Sequence, residues 1–351
     1  MKNNPSITIV ILTYKRPKLL KRAIRSVLNQ TYPYFKVCVY DDASGDETGE
    51  IVAEMQKNDA RIFYYCNKQN LGVVGNCYQA WEQVNTPYYA SLCDDDIFLP
   101  THLETAMKSF REYPEAMFSA NQAISITHKK QIHKVTLYEN CSEGLHNPPE
   151  GLIFLLKTDP SILQGAVYRS EVRQKVGYYD AEVGQISDWD YVFRIAAQFS
   201  YAINKVPGYI FYVNKEGFSG SKVDQFFWPQ WLKMLEKIVG LSHLSLATKI
   251  EVESLLKGRL RTMLKTQGKE ACLSGNFSAA EKSAQILYDY FRSPRHYLKL
   301  NALRFMCRWF PPFKWCAGLY NEMRTRKKLL QTMNRYREYQ HYTSFLQDSD
   351  T

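Results

Sequence analysis

Over its first 125 residues the chain alternates two hydrophobic periods, and few folds tolerate that alternation. "SITIVILTY" is a continuous apolar, β-branched run, as expected of a strand buried on both faces. "PKLLKRAIRSVLNQ" follows with apolar residues at helical spacing and Pro17 near its start. The pair then repeats. "FKVCVYDD", "RIFYYCN" and "PYYASLCDDD" read as strands, and "DETGEIVAEMQKN", "VVGNCYQAWEQV" and "PTHLETAMKSFREYP" as helices. Strand and helix alternating at this interval predict an α/β fold with a mostly parallel sheet and helices on both faces, the Rossmann-like layout of nucleotide-binding proteins. Ligands of such sheets sit beyond the carboxyl ends of the strands. Three strands end there in polar groups: Thr13, Asp41–Asp42 and Asp94–Asp96.

After residue 125 the pattern changes. "HKVTLYE" and "YAINKVPGYIFYV" read as strands, "PEGLIFLLK" and "SDWDYVFRIAAQ" as helices, which suggests an α+β extension of the same domain. Beyond about 225 the sequence is almost wholly helical. The expected organisation is a catalytic domain over 1–225, with a nucleotide half at 1–125 and an acceptor half at 126–225, then a basic helical module over 226–351. Charge supports that division. Of the overall net +10, residues 291–340 hold 12 Lys/Arg against only Glu322 and Glu338, so the first 290 residues are close to neutral. A basic tail suits nucleic acid, an anionic membrane surface or a solvated helix face. The eight cysteines form no CxxC pair, and "MKNNPSITIV" is no signal peptide, so a cytoplasmic protein is expected. No run of apolar residues is long enough for a spanning helix.

The triplet in "SLCDDDIFLP" is the sharpest chemical signal. Three adjacent carboxylates repel one another, and a hard divalent cation completed by a substrate diphosphate compensates them. A solvated acidic turn is the competing reading. Asp42 offers an acceptor for a base N–H or ribose hydroxyl, while Ser44 or Asp46 suits a helix cap. Asp188 and Asp190 open the "SDWDYVFRIA" helix, with Ser187 and Asp190 spaced as a capping box. Asp188 suits a general base there, its pKa expected to be lowered by the helix dipole.

Three runs in order, "SITIVILTYKRPKLLKRAIRSVLNQTYPYFKVCVYDDASGDET", "NKQNLGVVGNCYQAWEQVNTPYYASLCDDDIFLP" and "VGYYD" with "SDWDYVFRIA", resemble family 2 glycosyltransferases over roughly residues 5–215. The resemblance implies a GT-A fold, a nucleoside-diphosphate sugar donor, a Mn2+ or Mg2+ ion and inversion at the anomeric carbon. By position it assigns Thr13, Asp42 and Asp94 to the nucleotide, Asp95 and Asp96 to the metal and Asp188 to the catalytic base. Ser187 stands where the family has an acidic neighbour. Gln164, Gly165, Trp189 and Asp190 fall on the acceptor side. The Arg or His common near the diphosphate is absent from "FYVNKEGFSGSK", where Lys215 or Lys222 is the substitute on offer. The acceptor implied is a cell-surface glycan or a lipid-linked one. The tail, with Arg and Lys between Phe, Trp, Leu and Met and a break at Pro311–Pro312, fits a helix pair lying on the inner face of an anionic membrane. An inactive nucleotide- or glycan-binding protein on the same fold, or a nucleic-acid role for the tail, are the rival readings.

Overall fold

The computed structural model describes residues 6–136, 142–158, 165–180, 182–213 and 228–346. Four strands build the first half of the sheet: β1 (Ile7–Thr13), β2 (Phe35–Asp41), β3 (Ile62–Cys66) and β4 (Tyr88–Cys93). They run in the order β3-β2-β1-β4, all parallel. Between them lie α1 (Pro17–Leu28), α2 (Thr48–Asn58) and α3 (Gly72–Glu82), as the alternation predicts. β1 is apolar on both sides because both sides are covered. Ile7, Ile9 and Ile11 pack with Leu20, Ile24 and Val27 of α1, whereas Val10 packs on the other face with Cys77 and Trp81 of α3.

Past β4 the sheet becomes mixed. The two-residue β5 (Ile97–Phe98) and α4 (His102–Glu112) lead into β6 (Phe118–Thr127), β7 (Ile132–Val135) and β8 (Gly144–His146). Next come α5 (Glu150–Lys157), β9 (Val167–Arg169), α6 (Val172–Val176), α7 (Ser187–Ala196) and the long β10 (Tyr201–Val213). β9 lies antiparallel between β4 and β6, and β6 pairs in parallel with β10. The sheet order continues β4-β9-β6-β10-β5. The last residues of the expected "HKVTLYE" strand, together with Gln164, Lys215 and Lys222, lie outside the described residues.

The remainder is helical: α8 (Trp228–Gly240), α9 (Leu246–Ser274), α10 (Phe277–Asp289), α11 (Pro294–Trp309) and α12 (Pro311–Arg335), then a 3-10 segment, Arg337–Leu346. Local chemistry sets several of these ends. Ser245 Oγ accepts the Thr248 N–H, Gly275 takes the left-handed conformation after α9, and Asn276 accepts the Ala279 N–H. The helices share cores with the sheet domain. Trp231, Met234 and Ile238 of α8 and Val252 and Leu256 of α9 join the core of α3 and α7. A second core links the end of α9 with α10 and α11, and Tyr336 and Leu346 return to pack beside Ile124 and Ile126 of β6.

Candidate active site

β1 lies between β2 and β4, in a register that sets Thr13 beside Asp41 and Leu12 beside Cys93. The polar strand ends therefore meet at one rim. Thr13 Oγ1 donates to Asp94 Oδ2 at 2.9 Å. Arg16, one residue before α1, brings Nη1 to 3.1 Å from Asp94 Oδ1 and 3.3 Å from Asp95 Oδ2. Arg22 of the same helix donates to the Asp95 carbonyl oxygen at 2.6 Å. Asp96 turns the other way, accepting the Tyr209 hydroxyl and, at 2.8 Å, the Tyr212 N–H of β10.

Asp94 and Asp96 are 4% and 1% exposed, so the triplet is no solvated turn. Burial pushes the Asp94 carboxyl up to about 6 despite the opposing pull of Arg16. Burial, and next the charge of Asp95, lift Asp96 well above the carboxylate range. Arg16 faces the carboxylates of Asp94 and Asp95, and Arg22 the Asp95 carbonyl oxygen, while burial still raises the carboxyls of Asp94 and Asp96. Cys93 Sγ and one oxygen each of Asp95 and Asp96 lie within 4.8 Å of one another, a spacing that one cation can bridge. The two oxygen donors suit a hard divalent ion, and the thiol is a softer third group.

Gly165 supports this wall from behind. Its φ is +79°, and a Cβ there would stand 2.5 Å from Tyr209 Cδ2. Its carbonyl oxygen accepts from His102 Nε2 at 2.8 Å, and burial holds that imidazole down at about 4, hence neutral. Gly165 thus acts through Tyr209 on Asp96, behind the acidic cluster.

Asp41 and Asp42 hold the neighbouring loop. Asp41 accepts from the Ser44 N–H at 2.9 Å and the Tyr64 hydroxyl at 2.6 Å. Asp42 accepts from Asn67 Nδ2, Leu71 N and Gly72 N at 2.8–2.9 Å. It therefore fixes the entry to α3 while keeping its place on the rim. Asp46, not Ser44, accepts the Thr48 N–H at the start of α2.

Asp188, at the start of α7, accepts the Trp189 N–H at 2.8 Å. Its expected pKa depression is not found. Burial raises it to about 6, outweighing the helix-start N–H groups of Trp189 and of Asp188 itself. Part of its surface stays open. Cys93 is similar: open to solvent, yet crowded enough that low hydration raises its thiol, followed by the charges of Asp96, Asp95, Asp94 and Asp188. The charge of Asp188 thus bears on the same thiol as the triplet, at the end of β4. The capping box is also absent. Ser187 Oγ donates backward to the Asp180 carbonyl oxygen at 2.9 Å and to that of Gly184. Asp190 is fully buried and paired with Arg194 Nε at 2.7 Å and Lys237 Nζ at 3.4 Å, so it belongs to an internal ion-pair network and not to a surface an acceptor reaches. Trp189 keeps a half-open ring, edge-on to Trp231 at 5.1 Å and under the Arg259 guanidinium.

A cavity of about 750 Å³ adjoins this ground, between the Asp42-anchored loop and the "VGYYD" turn. Leu71 and Tyr78 line one side, Tyr178, Asp180 and Lys237 the other. Tyr179, also in its wall, has its hydroxyl raised chiefly by burial and further by Cys77 and Asp188. Sequence reasoning missed Arg16, Tyr209 and Cys93. Arg16 had a signal, a cation just past the first strand in "TYKRP", whereas Tyr209 had none, being 113 residues from its partner.

Residues 8–175 match the family model "Glycosyl transferase family 2". That segment belongs to the family. Among curated relatives, the GalNAc(5)-diNAcBac-PP-undecaprenol beta-1,3-glucosyltransferase of Campylobacter jejuni is 34% identical over 109 residues, 31% of this chain and 35% of that protein. The putative colanic acid biosynthesis glycosyl transferase WcaA of Escherichia coli is 28% identical over 212 residues, 57% of this chain and 69% of that protein. The match thus spans only about a third of the Campylobacter relative's length. Among solved structures, S. aureus TarS 1-349 in complex with UDP-GlcNAc has a TM-score of 0.63 over 92% of both chains, at 16% identity. The chain therefore has the GT-A fold, and the likeness reaches into its C-terminal helices.

Proposed function

We propose that the chain moves a sugar from a nucleoside-diphosphate donor to an acceptor hydroxyl, with inversion at the anomeric carbon. The observation that supports this reading is the gathering of Thr13 and the Asp94–Asp96 carboxylates at one rim of the sheet, with the charge of the partly open Asp188 bearing on Cys93 of that rim. In the proposed reaction the bond between the anomeric carbon and the donor phosphate breaks, and a bond from that carbon to the acceptor oxygen forms. Asp188 takes the acceptor proton. With its pKa near 6 it is mostly ionised at neutral pH, yet a stronger base than an ordinary aspartate. Thr13, Asp42 and Asp94 are assigned to the nucleoside and Trp189 to the acceptor side.

Asp95 and Asp96, with Cys93 in reach, would hold a Mn2+ or Mg2+ ion. Such an ion supplies charge neutralisation for the departing diphosphate. Arg16, already against Asp94 and Asp95, is a cation available to that region beside the Lys215 or Lys222 considered from sequence. The relatives' names, one an undecaprenol-linked glucosyltransferase and one assigned to colanic acid synthesis, support a lipid-linked or cell-surface glycan as acceptor. The functional division into a catalytic part before about residue 225 and a helical part after it is proposed with this reading.

The test is a thermal-shift screen of nucleoside diphosphates and their sugars with and without Mn2+, UDP-sugars first because the TarS fold neighbour holds UDP-GlcNAc. A ligand that binds only the folded state raises the midpoint by mass action. A metal-dependent rise for one nucleotide class, lost in Asp95→Ala, is expected. No response to any nucleotide overturns the reading.

A further inference from the structure

Helices α11 and α12 present apolar side chains where a helix packed on a protein should be polar. Nearly half the large apolar residues exposed among the described residues fall between 298 and 330, under a tenth of the chain. On α11 the buried side carries Leu300 and Cys307. Leu298, Phe305 and Trp309, spaced at seven and four, form a second stripe about half a turn away, and all three are exposed. On α12 the exposed Leu319, Met323 and Leu330 recur at four and seven. Between the stripes, where the chain turns from one helix into the next, Phe310, Phe313 and Trp315 are exposed as well.

Cations border these stripes. Residues 294–335 hold ten Lys/Arg and one acid, Glu322, which pairs with Arg326 at 2.8 Å. Arg295, Lys299, Arg308, Arg324, Lys327 and Lys328 are all exposed. No helix among the described residues is long and apolar enough to cross a membrane. An exposed apolar stripe on a helix rich in Arg and Lys is the pattern of a helix lying within the bilayer–water boundary, with aromatic rings at headgroup depth.

We infer that α11 and α12 form a docking surface for an anionic lipid bilayer, with Trp309, Phe310 and Trp315 inserted at the helix junction. Charge decides between occupants. A second copy of the chain would bring the same excess of positive charge onto itself. A nucleic acid would use the cations but leave Leu298, Leu319, Met323 and Leu330 in water. An anionic bilayer satisfies both halves of the surface. This inference stands apart from sugar transfer and has its own readout.

The test is co-sedimentation of the full chain with vesicles of phosphatidylcholine alone or mixed with phosphatidylglycerol at about 30%, together with quenching of tryptophan emission by brominated lipid. We expect at least tenfold tighter binding to the anionic vesicles, weakened by salt. Trp309→Ser with Trp315→Ser should lose about tenfold in binding and most of the lipid quenching. Lys327→Glu with Lys328→Glu should remove the preference for anionic lipid. Nucleotide-induced thermal shifts should be unchanged in both double variants, which separates loss of docking from loss of fold. Absence of vesicle binding, or equal binding by wild type and the tryptophan variant, overturns the inference. So does concentration-dependent self-association that the tryptophan variant abolishes, or salt-sensitive oligonucleotide binding that outcompetes the vesicles.

Discussion

Replacing Asp188 by Asn should stabilise the protein while stopping the reaction, and the two effects share one cause. Burial raises the Asp188 carboxyl from 3.8 to about 6. That is about 2 units at ~1.36 kcal/mol each, or about 3 kcal/mol against the ionised form in the folded state. Because the side chain keeps part of its surface open, about 1–3 kcal/mol is the fair range. The sign follows from the direction of the shift. A carboxyl with its folded pKa raised above the unfolded one carries no penalty below the unfolded pKa of 3.8, and the full penalty above about 6. Asn carries none at any pH, and its amide oxygen can still accept the Trp189 N–H that Asp188 Oδ1 accepts. The variant should therefore unfold a few degrees higher than wild type at pH 8 and at nearly the same temperature at pH 4. Its turnover should fall by about 10²–10⁴, with metal-dependent nucleotide binding intact. Thermal unfolding at both pH values, beside initial rates with an excess of acceptor, measures everything required. Equal or lower stability at pH 8 would show that burial does not set this pKa, and unchanged turnover would remove Asp188 from the chemistry.

In wild type, kcat should drop by at least about tenfold per pH unit below about 6, as Asp188 protonates and Asp94 with it; a flat profile down to pH 5 contradicts the assignment. Tyr209→Phe removes a donor from a carboxylate that is 1% exposed and should cost about 1–3 kcal/mol in denaturant unfolding at neutral pH. Gly165→Ala forces a side chain into φ +79° and against the Tyr209 ring, so it should cost at least about 2 kcal/mol and disturb metal-dependent nucleotide binding. A fully stable, fully active Ala variant would refute that geometry. Arg16→Met removes a cation that competes with a divalent ion for Asp94 and Asp95; divalent-ion affinity without nucleotide, measured by calorimetry, should rise by about tenfold while turnover falls.

What could be read from sequence was what depends on short range. The alternation of periods two and 3.6 located β1 to β4 and α1 to α4, because each element buries its own residues at its own spacing. The rim was legible for the same reason: strand ends in a parallel sheet share an edge, so Thr13, Asp42 and the triplet had to approach one another. The mixed region beyond β4 was harder, since β9 joins the sheet between strands that precede it by dozens of residues. Asp188 and Asp190 show where local reasoning fails. Both are first-turn acids, yet two residues on a helix differ by more than half a turn in direction, and only packing against Arg194 and Lys237 tells that Asp190 is the internal one. The raised pKa of Asp188 was out of reach because burial by distant segments sets it. The triplet shows the limit most plainly. As a string its members are alike, but Asp94 is tied back to Thr13 of β1 and to Arg16 just before α1, and Asp96 to β10. Asp95 stands between them, its carboxylate on Arg16 and its carbonyl oxygen on Arg22. A turn made only to meet water would not bury two carboxylates of three. The cost of that burial is reason enough to look for a cation there.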